Sequence, residues 1–140
     1  MFSNTVVSLL GFITWGLVLL IWMELIRTWL VLSGRQAANG FTPDNAGLSP
    51  FMQRLARAHA NCVEGLPIFG GLLVVAILTG QQSITDGTAM IFLAARMLQS
   101  VIHLSSTSPF AVKARFSFFA VQMGLAAYWS YGLLRAILSP

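Results

Sequence analysis

Arg57, Asn61 and Glu64 stand at i, i+4 and i+7 of one stretch of the chain. At helical spacing they lie one above another on a single face. Arg96, Gln99 and His103 follow at i, i+3 and i+7 of a later stretch, again on one face. Guanidinium groups take carboxylates with paired N–H bonds, amides take peptide groups, and a carboxylate takes an ammonium. Such a set suits an anionic, amide-rich small ligand. The other arrangement open to these residue types is mutual satisfaction between helices.

The elements that must position these groups are membrane helices. Of 140 residues 56% are hydrophobic and only 9% charged, where a soluble domain carries about 25% charged residues. With a mean hydropathy of +0.77, the chain reads as an integral membrane protein, all-α, with one domain over residues 1–140. Four spans are expected, at about 5–26, 51–79, 87–105 and 114–138. A polar loop over 34–50, rich in turn formers, separates the first two and is long enough to cap a site. The N-terminus lacks a positive n-region and a cleavage signature, so the first apolar run is expected to stay as a span.

Within the spans, Pro67 is expected to kink the second helix. Gly70, Gly71 and the Ala120/Gly124 pair suit close helix approach. Glu24 and Arg27, at i and i+3, form either a local ion pair at the interface or the border of a ligand site. A single cysteine, Cys62, excludes an internal disulfide and a C-x-x-C site, and reads as a small buried residue. The pI of about 10.3 reflects basic residues at span ends, with no basic run interleaved with aromatics, so nucleic acid is not expected. No metal site is expected. His59 and His103 sit on separate spans, and neither has a carboxylate at i+3 or i+4.

Arg27, Arg35, Arg54 and Arg57 flank the first loop, Lys113 and Arg115 flank the third, and the second carries no positive charge. The positive-inside rule then places loops one and three in the cytoplasm and both termini outside. At 1.5 Å per residue Glu64 lies about 10 Å deeper than Arg57, and Arg96 about 10 Å deeper than His103. Antiparallel neighbours bring Arg57 level with His103, Asn61 with Gln99, and Glu64 with Arg96. A Glu64–Arg96 ion pair is therefore predicted at the bottom of a polar cleft. Above it Arg57, His59, Asn61, Gln99, His103, Lys113 and Arg115 crowd towards the cytoplasmic side.

The run Arg57-Ala58-His59-Ala60-Asn61-Cys62-Val63-Glu64, followed by Leu66-Pro67-Ile68-Phe69, closely resembles the second-helix signature of the MAPEG family. These are the membrane-associated proteins in eicosanoid and glutathione metabolism, and the likeness is to bacterial-type, microsomal glutathione transferase-like members. The resemblance implies a four-helix bundle that assembles as a homotrimer, in a bacterial inner membrane. It implies glutathione as cosubstrate, bound between protomers near the cytoplasmic face by Arg57, Asn61, Glu64 and Arg96, with His59 beside them. Gln99 and His103 fall where family members carry His or Tyr. An arginine near the start of the fourth span activates the thiol in several members. Arg115 matches it best and Lys113 second. Arg27 or Arg35 stands for the first-helix arginine. The implied activity is a glutathione transferase or peroxidase acting on hydrophobic electrophiles that arrive from the lipid bilayer.

Two other classes fit the same length. One is a small four-helix transporter using Glu24 as its membrane carboxylate. The other is a non-catalytic membrane protein of the same fold, for which the departures at Gln99 and His103 leave room.

Overall fold

A computed structural model describes residues 1–139. They form four helices: α1 (Asn4–Leu32), α2 (Pro50–Leu78), α3 (Gln82–Ser105) and α4 (Pro109–Leu138). No strand occurs among the described residues. Serines start three of the helices. Ser3, Ser49 and Ser108 each accept a first-turn backbone N–H, and at α2 and α4 a proline follows in the first turn, where no donor is missed. Gly34 and Gly80, both at positive φ, turn the chain just past α1 and α2.

Pro67 does not simply kink α2. Leu66–Gly70 forms a π-helical turn, which widens the helix around the missing proline donor. The turn lies directly after Glu64 and Gly65, beside the polar face.

Each helix contributes one large aromatic to a common core. Phe92 of α3 sits at its centre, with Phe12 of α1, Phe69 of α2 and Trp129 of α4 around it at ring-centroid distances of 5.3, 5.2 and 5.6 Å. Such contacts contribute roughly 0.5–1.5 kcal/mol each beyond area burial. α3 packs against all three other helices. The exterior stays apolar: in the most apolar window of α1 only 22% of residues are buried. A face of that kind belongs against lipid or another protein.

Among the described residues, α1, α2 and α3 are long and apolar enough to cross a membrane. α4, with 30 residues, has the length, but Gln122, Tyr128, Ser130 and Tyr131 dilute its apolar run. The close helix approaches also differ from expectation. A side chain at Gly71 or Gly124 would meet nothing within 4 Å inside the protomer, whereas one at the buried Gly70 would touch Leu9 of α1 at 3.7 Å. The tight crossings are at Gly11, where a Cβ would lie 2.7 Å from Leu93, and at Gly132, 2.8 Å from Ile84.

The loop over 33–49 is pinned rather than loose. Asn45 is fully buried in the left-handed region, at φ 56°. Its amide donates to the Met52 carbonyl at 2.7 Å, and its Oδ1 accepts from Arg27 Nε at 3.0 Å and from Arg27 Nη2.

Candidate functional site

The polar faces of α2 and α3 meet, and two pockets open around them. The inner one is a cavity of about 470 Å³ between α2, α3 and α4, lined by Asn61, Glu64, Gly65, Arg96, Gln99 and the apolar Ile68, Phe69, Phe119, Met123 and Ala126. That volume falls within the range of small-molecule sites, about 300–1,000 Å³. The outer pocket, about 400 Å³, is lined by Arg54, Arg57, His103, Thr107 and Arg115, together with Asp44, Pro50 and Gln53. Asn61 Nδ2 and His103 Nδ1, 3.3 Å apart, bridge α2 and α3 between the two.

Arg96 dominates the inner cavity. It is 1% exposed. Its guanidinium lies 5.4 Å from the Phe12 ring centroid and 5.3 Å from that of Phe69. Nη1 donates to the Asn61 carbonyl at 3.3 Å, while Nε and Nη2 have no partner. The absence of a side chain at Gly65 makes this position possible, because a Cβ there would sit 2.8 Å from Arg96 Nη2. A buried guanidinium with two idle nitrogens is expensive unless something supplies acceptors.

The predicted Glu64–Arg96 ion pair is not formed. The one salt bridge among the described residues is Arg27–Glu24, at 2.9 Å. Glu64 and Arg96 line the same cavity, but Glu64 is exposed while Arg96 turns inward between two phenylalanines. Arg57 and His103 share the outer pocket, whereas Asn61 bonds His103 and Gln99 instead accepts from Gln122 Nε2 at 2.9 Å.

Three expected residues lie elsewhere. His59 faces a small apolar pocket between α1 and α2, shared with Cys62 and Phe12. Arg27 is committed to Glu24, Asn45 and the Thr42 carbonyl. Lys113 is exposed and lines neither pocket, which leaves Arg115 as the α4 cation at the site. Arg115 is half-buried, and its Nε is enclosed without a partner.

Arg54 was not among the expected site residues. It lines the outer pocket and anchors α2 to the end of α3 by donating to the Leu104 carbonyl at 2.9 Å. Its place one helical turn before Arg57 was the available signal. Asp44 enters the same pocket from the loop. The Thr42 hydroxyl and then the Ala46 N–H hold its carboxyl below the ordinary carboxylate range, so a carboxylate faces the arginines.

The arrangement offers cations and the Asp44 carboxylate at the rim, the Glu64 carboxylate and the Arg96 guanidinium on the inner cavity, amides between them, and an apolar wall from α4. It can bind a polar anionic molecule beside an apolar one. Comparison with curated proteins and with solved structures finds no match. The MAPEG family model matches residues 12–135, nearly the whole chain. With four helices, the polar face of α2 and a membrane-compatible exterior, this chain is a member of the MAPEG family.

Proposed function

We propose that this protein is a membrane-bound glutathione-dependent enzyme, a transferase or peroxidase acting on hydrophobic electrophiles. The observation that carries the proposal is Arg96: a buried guanidinium with two unpartnered nitrogens on a cavity that also holds Glu64, Asn61 and Gln99. Glutathione brings two carboxylates, an ammonium and two peptide groups, and those requirements match the residues present.

When bound, glutathione supplies the thiol that reacts. The chain's own residues bind and orient. Arg57 at the rim takes a carboxylate, Arg96 offers its idle Nε and Nη2 to acceptor oxygens, Glu64 takes the ammonium, and Asn61 and Gln99 take peptide groups. A free thiol has a pKa of about 8.5 and is mostly protonated at neutral pH. A guanidinium beside it favours the thiolate, and Arg115, with its enclosed and unpaired Nε, is the candidate for that work. Phe119, Met123 and Ala126 form an apolar wall on which a hydrophobic second substrate can lie.

The assembly belongs to the same proposal. Gln53, Arg57 and Glu64 are exposed on the outside of the single bundle, and Glu64 is near the middle of the 50–78 helix. A carboxylate facing hydrocarbon at that depth is costly, and a second copy covering the face removes the cost. A homotrimer with glutathione at the protomer boundary, near the cytoplasmic face of an inner membrane, is the arrangement proposed. The transporter reading loses its anchor, because Glu24 is paired with Arg27 near the end of α1.

Ultraviolet difference spectroscopy of the detergent-purified protein with glutathione tests the chemistry. Thiolate absorbance that is lost in Arg115→Ala, with binding retained, is expected. Binding without any thiolate, and no turnover across several electrophiles, would instead establish the non-catalytic reading.

A further inference from the structure

Gln122 is a fully buried polar residue in the middle of α4 and lines neither the inner nor the outer pocket. Its Nε2 donates twice, to the Phe118 carbonyl one turn back at 3.0 Å and to Gln99 Oε1 at 2.9 Å. A backbone carbonyl can only accept. The bond to Phe118 therefore fixes which end of the Gln122 amide points at the helix and at Gln99. Facing a donor, Gln99 must present its oxygen and turn its nitrogen the other way. That way is the inner cavity: Gln99 lines it, and its Nε2 has no partner among the described residues. The order of constraint runs from backbone to Gln122 to Gln99 to ligand.

We propose that Gln122 is a positioning residue that locks the Gln99 amide as a donor into the inner cavity, so that the site selects a ligand presenting a carbonyl or carboxylate oxygen there. This rests on the glutathione reading above and sharpens it. Gln99 lies one turn from Arg96 on the same face of α3, so Gln99 Nε2 and the idle Arg96 nitrogens converge on acceptor oxygens. The ammonium is thereby steered away from α3, towards Glu64 on α2. Without the Gln122 donor the Gln99 amide is free to turn over, and half of its orientations oppose an acceptor.

The test is a double-variant cycle on glutathione affinity, read by calorimetry, with Gln122→Met, Gln99→Met and the pair. Methionine keeps the length and removes the donor. Gln122→Met is expected to weaken glutathione binding about tenfold, the size of one net hydrogen bond. KM for glutathione should rise with it, while kcat falls far less. In the Gln99→Met background the second substitution should add little, because Gln122 acts through Gln99. Wild-type affinity in Gln122→Met, or effects that simply add, overturns the proposal. If Gln122→Met does not fold, Gln99→Met alone decides, since unchanged affinity there also overturns it. A wild-type chain that binds no glutathione at all overturns the functional reading instead.

Discussion

The two ends of the bundle differ in how completely their polar side chains are partnered: Asn45, Arg27 and Arg54 find partners at the loop end, but some of its cations do not. At the end where α1 begins and α3 begins, buried polar groups find partners. Thr5 Oγ1 bonds Thr85 Oγ1 at 2.6 Å and also donates to the Asp86 carboxylate, which accepts the Thr5 N–H at 2.8 Å as well. Ser8 Oγ donates to the Ala89 carbonyl at 2.8 Å, and Trp129 Nε1 donates to Thr88 Oγ1 at 2.8 Å. Towards the other end, Arg96 Nε and Nη2 and Arg115 Nε are enclosed with no partner. Satisfied polar groups hold helices together, while unsatisfied ones at a cavity are open to water or to a ligand. The first end is a clasp and the second holds the candidate site.

The comparison breaks most visibly at Arg96. Arg96→Leu is expected to weaken glutathione binding by about a hundredfold or more, since hydrogen bonds to charged groups contribute roughly 1.5–3 kcal/mol each. The same substitution should not lower the melting temperature, because it removes a buried charge held by one long bond to the protein. A large loss of stability with unchanged affinity would make Arg96 a structural residue. The clasp should behave in reverse. Asp86→Ala is expected to cost about 2 kcal/mol of stability by removing a carboxylate that accepts two bonds from Thr5. Its glutathione affinity should stay at the wild-type value. Thermal melting in detergent, read beside calorimetry, separates the two ends. The smallest effect is at Gly65. A methyl there sits 2.8 Å from Arg96 Nη2 and 3.1 Å from the Phe69 ring, so Gly65→Ala should displace the guanidinium and weaken binding about tenfold, or 1.4 kcal/mol. Wild-type affinity in that variant would show that the position of Arg96 does not matter.

Sequence spacing ordered the polar groups along each helix and grouped them on faces, but it did not show where each face turns within the bundle. Arg57, Asn61 and Glu64 share a face, and two of them reach the inner cavity. Helical rise also placed Arg96 on that cavity. It could not show that Arg96 would turn inward between Phe12 and Phe69 while Glu64 faced out, because those rings come from other helices. His59 is two residues from Arg57, which carries it to the far side of α2 and into the pocket with α1. The role of Arg27 depended on the fold of the 33–49 loop, where a left-handed Asn45 collects the guanidinium. Gln122 is a lone amide in an apolar run, a signal passed over in the sequence, and spacing could not have shown its partner on α3. Family resemblance and the polar face of α2 were both readable from one stretch, and the match over residues 12–135 agrees with them.

The most direct measurement is an isothermal titration of glutathione into the purified wild-type protein and into Arg96→Leu, at matched detergent and pH. Saturable heat from the wild type, lost in a variant that melts no lower, is the predicted result. Equal heats from both proteins, or none from the wild type, would contradict a cavity whose buried cation is kept for a ligand.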